Sequence, residues 1–425
     1  MFLSTLEEIF KGNKVLFEGC YIAQSNYDWK PYPVLYLNLA EVLNTNTEKL
    51  EASLQRSIAE LATEHNVKIE IPSAQEGLKS LIKALANKGH VVVLIDEYDK
   101  PIIDRLHNRE VADGNRQLLQ SFFGVLKNRD KHIKFTFITG ISRFSKVSLF
   151  SGANHLEDIR MDAQYAAMMG YTQEELGQYF AEHLQAITQE RNAQGQPWTE
   201  EEVFAEIKDW YNGYRFSEEE IYVYNPFSTL NYLDEKKANS YWFATGTPTF
   251  LVEELKKRPQ EITALSQMLA TQKDLSDISK ITRITLPALL FQTGYLTIED
   301  YDVKLKAYQL GFPNKEVREA LFGAMLEELA DGKVKLLEVS SMADKLLASL
   351  NDLELDTFID IMKTHFGRLP YTYPHDKEGG YQALFLAFLE LSRIQTQGEV
   401  STNKGRIDVL CQLAAMFDIF ELKVD

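Results

Sequence analysis

The sequence predicts an α/β fold in which a parallel sheet carries helices on both faces, followed by a mainly helical middle region and a small α/β region at the end. Three observations carry this. Residues 91–95 are five consecutive aliphatics, four of them β-branched, and read as a strand buried on both faces. Runs 34–39 and 133–138 are two more apolar strands, each separated from the next by helical segments of crossover length. From about Tyr171 the apolar spacing turns helical.

In order, residues 2–11 place Phe2, Leu3, Leu6, Ile9 and Phe10 on one face of a helix that Gly12 stops. Strand 34–39 is followed by helix 47–64, with Leu50, Leu54, Ile58 and Leu61 at helical spacing. Ser73 and Glu76 have capping-box spacing and open a helix through Leu78, Leu81, Ile82 and Leu85, expected to run to Gly89. After the buried strand comes an acidic cluster, Asp96, Glu97 and Asp99. Ligands of open α/β sheets bind at this carboxyl edge; the same acids also suit the cap of the next turn. A helix bearing Leu118, Leu119, Phe122, Phe123 and Leu126 leads to strand 133–138, which ends at Thr139 and Gly140. Thr139, Ser142 and Arg143 are then polar candidates beside the acids, as phosphate contacts or as a helix cap and a surface ion pair.

Thr172 with Glu175, and Thr199 with Glu202, are further capping boxes. Stretches 210–216 and 222–227 are dense in aromatics, with Gly213 and Pro226 as turn residues and Arg215 as the one cation. Aromatics can stack nucleic-acid bases, but without interleaved cations core packing around a tight turn is the expected role. Residues 286–301 read as a helix followed by an edge strand, and 305–310 as its hairpin partner across 299–304, in the manner of a winged-helix-like lid. Residues 315–365 return to helix, and 368–380 read as a linker. A helix over 381–394, apolar on most faces, precedes a strand with Asp408 and a strand with Glu421 and Lys423. Asp408 lies thirteen residues before Glu421 on the neighbouring strand of a hairpin, and Glu421 and Lys423, two apart, share a strand face. Glu390 and Glu399 are nearby acids expected in solvent.

The chain has 425 residues, with 45% hydrophobic and 25% charged residues, which is a globular composition with room for two or three domains. A net charge of −17 argues against broad, non-specific nucleic-acid binding, so any such site is local or metal-assisted. Cys20 and Cys411 form no C-x-x-C pair and are expected to be small core residues. With no long apolar span and no basic, apolar leader at Met1, a soluble cytoplasmic protein is expected.

The stretches Leu94-Ile95-Asp96-Glu97-Tyr98-Asp99-Lys100-Pro101, Thr139-Gly140-Ile141-Ser142-Arg143-Phe144, Trp210-Tyr211-Asn212-Gly213-Tyr214-Arg215-Phe216, Tyr224-Asn225-Pro226-Phe227-Ser228 and Gly311-Phe312-Pro313-Asn314 occur in this order. In them the chain resembles the AAA-ATPase-like family of bacterial proteins that carry a C-terminal PD-(D/E)xK nuclease-like domain. The resemblance implies a P-loop NTPase-type domain over 1–165, a helical domain over 166–365 and an incomplete nuclease-like domain over 366–425. It implies ATP and Mg²⁺ as cofactors, with Asp96 holding Mg²⁺, Glu97 directing the attacking water, and Thr139, Ser142 and Arg143 near the γ-phosphate. It further implies a second Mg²⁺ on Asp408 and Glu421, with Lys423 steadying charge in DNA cleavage; Ile407 stands where the family's name has proline. DNA would be the partner, no membrane is implied, and a homo-oligomer is compatible. The alternative is a nucleotide-sensing or protein-binding regulator with an inactive nuclease scaffold.

The phosphate loop G-x-x-x-x-G-K-[ST] is absent from the 425 residues; neither Gly12-Asn13-Lys14 nor Gly405-Arg406 has its spacing. The resemblance places that loop just before Phe2, and more of the nuclease fold after Asp425, so truncation at both ends is expected, the alternative for the missing loop being a degenerate copy.

Overall fold

The computed structural model describes residues 2–106, 108–141, 149, 156–195, 197–244, 268–276, 285–329, 336–366, 385–389, 392, 394–401, 406–413 and 416–420. The chain forms two compact units, Met1–Glu157 with Ser276–Ile284, and Asp158–Leu275 with Thr285–Asp425.

The first unit is built on three parallel strands, β1 (Val34–Asn38), β2 (Val91–Asp96) and β3 (Ile133–Ile138), in the order β1-β2-β3. The aliphatic run takes the centre, and Val91 through Ile95 are fully buried. Their side chains alternate between two cores. Val91, Val93 and Ile95 meet the helices Thr47–Glu64, Ala74–Leu85 and Arg109–Asn128, whereas Val92 and Leu94 meet Leu3 of the helix Phe2–Phe10. Each such burial stabilises by about 1.5–3 kcal/mol, so the central position of β2 follows from its composition.

Side chains end these helices as their sequence indicates, with two differences. Asn46 Oδ1 accepts from Lys49 N–H at 2.9 Å, and Ser73 Oγ accepts from Glu76 N–H at 3.2 Å. The reciprocal half of the Ser73 box is missing: Glu76 pairs with Lys79, and Glu51 accepts the Ala74 N–H at 2.7 Å. That helix also stops at Leu85, short of Gly89. The Lys88 N–H bonds Leu85 O at 2.7 Å in a tight turn, and Gly89 takes φ +147° at the entry to β2.

Cys411 is buried but Cys20 is exposed, contrary to the expected core position. Cys20 precedes a four-residue helix, Tyr21–Gln24, that has no buried side chain and therefore supplies no core for a thiol.

In the second unit, helices Gln173–Tyr179, Ala181–Ala193, Glu200–Tyr211 and Pro226–Glu235 enclose Leu176, Ile187, Val203, Ile207, Tyr211, Tyr224 and Tyr232. Both threonine capping boxes are complete, with Thr172–Glu175 and Thr199–Glu202 each satisfying two backbone donors. Of the aromatic stretches, Tyr211, Tyr214 and Tyr224 are core, whereas Tyr222 and Phe227 are exposed.

The expected hairpin forms from β5 (Thr297–Asp302) and β6 (Ala307–Gly311), with a shorter turn than the sequence indicated; β4 (Met268–Thr271) adds to β6, giving the antiparallel order β4-β6-β5. Helices Lys315–Leu329, Leu336–Asn351 and Leu355–Phe366 follow, then a helical run at 385–389 whose five side chains are all buried. β7 (Gln395–Ser401), β8 (Arg406–Leu413) and β9 (Met416–Phe420) close the described chain as an antiparallel meander. The linker stretch 368–380 lies outside the described residues. Among the described residues no helix is long and apolar enough to cross a membrane.

Glu316, in the first turn of Lys315–Leu329, is a buried acid whose Oε1 accepts the Trp242 N–H at 2.7 Å. Burial pushes its carboxyl up from 4.5 to about 7, with hydrogen bonds offsetting part of the rise. A carboxyl raised on folding stabilises the fold below its unfolded value, and that contribution is lost as pH rises through the folded value. The window here is about 4.5 to 7. Glu316→Gln is therefore expected to resist urea better than the wild type at pH 8, by on the order of 2 kcal/mol, with the gain vanishing below pH 4.5. A pH-independent difference would contradict the assignment.

Candidate functional site

The carboxyl edge of β2 gathers the acids. Asn38 of β1 pairs with Asp96, and the Leu39 N–H continues the ladder to Asp96 O at 3.0 Å. Asp96 Oδ1 accepts from the Glu97 N–H at 3.0 Å, while Oδ2 lies 3.4 Å from the Tyr36 hydroxyl that donates to it. Glu97 then turns into the left-handed region at φ +51°, a conformation that costs a non-glycine residue on the order of 1 kcal/mol or more. Burial raises the Glu97 carboxyl above the usual range; Asp99 and Asp96 add to the rise and Lys100 opposes it. The result is a half-buried carboxylate more basic than a free one.

The turns after β2 and β3 are tied together. The Thr139 N–H donates to Ile95 O at 2.9 Å and the Tyr98 N–H to Thr139 O at 3.1 Å, so pairing persists past the strand ends. Asp99, fully buried, accepts the Ile141 N–H at 3.2 Å. Gly140 leaves space for this contact, since a Cβ there would sit 2.3 Å from Asp99 Oδ1 and 2.6 Å from the Tyr98 ring. Asp96, Glu97 and Thr139 are thus brought to one sheet edge. Ser142 and Arg143 lie outside the described residues.

Two asparagines that sequence reasoning passed over hold this edge from behind. Asn115 is fully buried and donates Nδ2 to Asn44 O at 3.0 Å and to Pro101 O at 2.8 Å, joining the segments that follow β1 and β2. Asn44 accepts from Arg105 Nε and Nη2 at 3.0 and 2.8 Å and donates to Asp104 Oδ2 at 2.9 Å. The available signal was a polar residue on an apolar helix face: Asn115 stands between Ala112 and Leu119, both fully buried.

Among the described residues, no three His, Cys, Asp or Glu side chains converge as a metal cage. Mg²⁺ asks for less, since it keeps several waters and takes one or two carboxylates plus substrate phosphates, and Asp96 fits that demand. The phosphate half is another matter, because the sequence contains no phosphate loop.

Asp408 lies half-buried in β8, beside Val409, which pairs with Phe420 of β9. Glu421, Lys423 and Glu390 lie outside the described residues. Arg215, the cation among the aromatics, is 3% exposed and spends its guanidinium on backbone carbonyls, so it offers nothing to a nucleic acid.

A central parallel strand that ends in Asp-Glu, with helices on both sheet faces, defines an α/β protein of the nucleotide-binding kind. The chain belongs to the predicted AAA-ATPase family, whose model matches residues 1–150. It is 34% identical over 443 aligned positions to an uncharacterized protein in the vnfD 5' region of Azotobacter chroococcum mcd 1, covering all of this chain and 80% of that protein. No solved structure matches the chain.

Proposed function

We propose that the first unit is the acid half of an ATPase site, in which Asp96 holds Mg²⁺ through water and Glu97 orients the water that attacks the γ-phosphate. The observation that carries this reading is the pair of acids at the end of the central strand, with the Glu97 carboxyl raised by burial. Thr139, whose backbone is bonded to Ile95 at the end of β2 and to Tyr98 just after it, is the proposed γ-phosphate sensor. ATP and Mg²⁺ would be the cofactors. Bound Mg²⁺ would polarise the phosphates; the chain's own residues position that ion and the water.

Because the phosphate loop is absent, the 425-residue chain is expected to show no micromolar binding of Mg²⁺-ATP by calorimetry. A fusion that adds a strand and a Gly-Lys-Ser loop ahead of Phe2 should gain binding. In that protein Glu97→Gln should keep binding and lose hydrolysis, by about 10²-fold or more. The rate should also fall on acidification from a pH above the ordinary carboxylate range, since Glu97 is raised. Micromolar binding by the chain as it stands would place the phosphates on other residues and overturn the reading.

The finer part of the proposal couples this unit to a nuclease-like module acting on DNA, with Asp408, Glu421 and Lys423 as its metal and charge-steadying residues. What supports it is the order of a buried helical run followed by the β7–β8–β9 meander, which bears Asp408 on β8. DNA cleavage that requires Mg²⁺ or Mn²⁺ and disappears in Asp408→Ala and Lys423→Ala is the expected result. Absence of metal-dependent cleavage would leave a nucleotide-sensing regulator.

A further inference from the structure

In the second unit, two stretches singled out by sequence meet backbone to backbone. Gly213, of Trp210-Tyr211-Asn212-Gly213, lies so near Pro313, of Gly311-Phe312-Pro313-Asn314, that a Cβ on Gly213 would be 1.9 Å from Pro313 O. Asn314 seals the junction. Its Nδ2 donates to Asn212 O at 3.0 Å, and its Oδ1 accepts the Val317 N–H at 3.1 Å, capping the fifteen-residue helix Lys315–Leu329. A cavity of about 1030 Å³ opens on this junction, at the upper end of the size of small-molecule sites.

Three features of its wall point to one kind of ligand. Asn212 lines the cavity and is 8% exposed; its Oδ1 is wholly enclosed without a partner, and its Nδ2, the group that can donate to an oxyanion, makes no hydrogen bond among the described residues. Lys208, also in the wall, is four residues earlier on the same helical face and makes no ion pair among the described residues. The third feature is the start of Lys315–Leu329, where the N–H groups of Lys315 and Glu316 find no acceptor among the described residues. Arg318 adds a cation to that first turn, against the preference of a helix start for acids, whereas Lys315 is paired with Glu319 at 3.4 Å. The Glu316 carboxylate gives no relief, because it is turned into the core onto the Trp242 N–H. A buried amide, an unpaired ammonium and a helix N-terminus are together what holds an oxyanion.

We propose that this cavity is a binding site for a small oxyanion-bearing molecule, carboxylate or phosphate, with Asn212, Lys208 and the Lys315–Leu329 N-terminus as its recognition elements. Four acids also line the cavity and set its selectivity: Asp209, Glu319, which pairs with Lys315, and Glu174 and Glu220, which have no ion pair among the described residues. They repel a polyanion such as a nucleic-acid strand and suit a ligand whose remaining part is neutral or cationic. The site lies wholly within the second unit and is independent of the acids on β2.

The test is calorimetry on the full chain at constant ionic strength, with inorganic phosphate and acetate as separate probes. At least one is expected to bind at millimolar concentration or below, and the tighter of the two names the oxyanion. Lys208→Glu should weaken that binding at least tenfold, and Asn212→Asp, which keeps the side chain's size, should do the same. Lys304→Glu, on the exposed β5–β6 turn, should leave it unchanged. Circular dichroism confirms that each variant is folded. The proposal is overturned if neither probe binds, if Lys208→Glu binds like the wild type, or if an oligonucleotide displaces the probe.

Discussion

Gly213→Ala is expected to cost the second unit at least about 3 kcal/mol, a large fraction of the stability of an ordinary domain. Two penalties add. Gly213 sits at φ +100°, where a side chain costs on the order of 1–2 kcal/mol for conformation alone. Its Cβ would also fall 1.9 Å from Pro313 O, inside any tolerable contact, and what must move is backbone, not the free end of a side chain. Separating the two segments would lengthen the 3.0 Å bond from Asn314 to Asn212 O and uncap Lys315–Leu329, a further loss of about 1 kcal/mol. Gly195 supplies the control. It has φ +83° with nothing within 4 Å of the added carbon, so Gly195→Ala should show the conformational term alone. Urea unfolding of the two variants side by side measures the difference. Equal losses would mean that the Gly213 and Pro313 backbones are not in contact.

What could be read in the sequence was what local rules govern. The aliphatic run of β2 implied burial on both faces, and Val91–Asp96 has it because alternate side chains enter separate cores. Helix Thr47–Glu64 has its expected bounds because Asn46 caps it and its apolar spacing is regular. The acids of the candidate site were legible because they follow β2 without a gap. Elements set by distant partners were harder to see. β4 pairs with Ala307–Gly311, far along the chain, and carries only four residues of signal. β7 begins Gln395, Thr396, Gln397, a polar start that reads as loop until β8 gives it a ladder. Asn115 looked like one polar letter in an amphipathic helix, and its role lies in carbonyls of two other segments. The Glu97 backbone turn, too, is a product of the sheet edge and leaves no mark in composition.

Arg215→Ala is expected to destabilise the second unit by about 3–5 kcal/mol, the range for stripping a partner from a buried charged hydrogen-bond network. The guanidinium donates from Nε to Ser217 O at 3.1 Å and Glu219 O at 3.0 Å, from Nη1 to Glu299 O at 3.1 Å, and from Nη2 to Glu218 O. It therefore ties the 217–219 turn to β5, where the Arg215 N–H also donates to Thr297 Oγ1 at 2.7 Å. With the side chain gone, four carbonyls lose their donor, and each left dry costs about 1–3 kcal/mol, less where water enters. Arg215→Met keeps most of the volume and none of the donors, so it should lose nearly as much as alanine. Lysine places a compact charge where a planar fork is needed, and Arg215→Lys should recover only part of the loss. Urea midpoints in the order wild type, lysine, methionine, alanine are the expected result. Full stability in Arg215→Met would mean that packing, not hydrogen bonding, fixes the residue. A loss below about 1 kcal/mol in Arg215→Ala would mean that solvent reaches those carbonyls and that the guanidinium is free for a ligand after all.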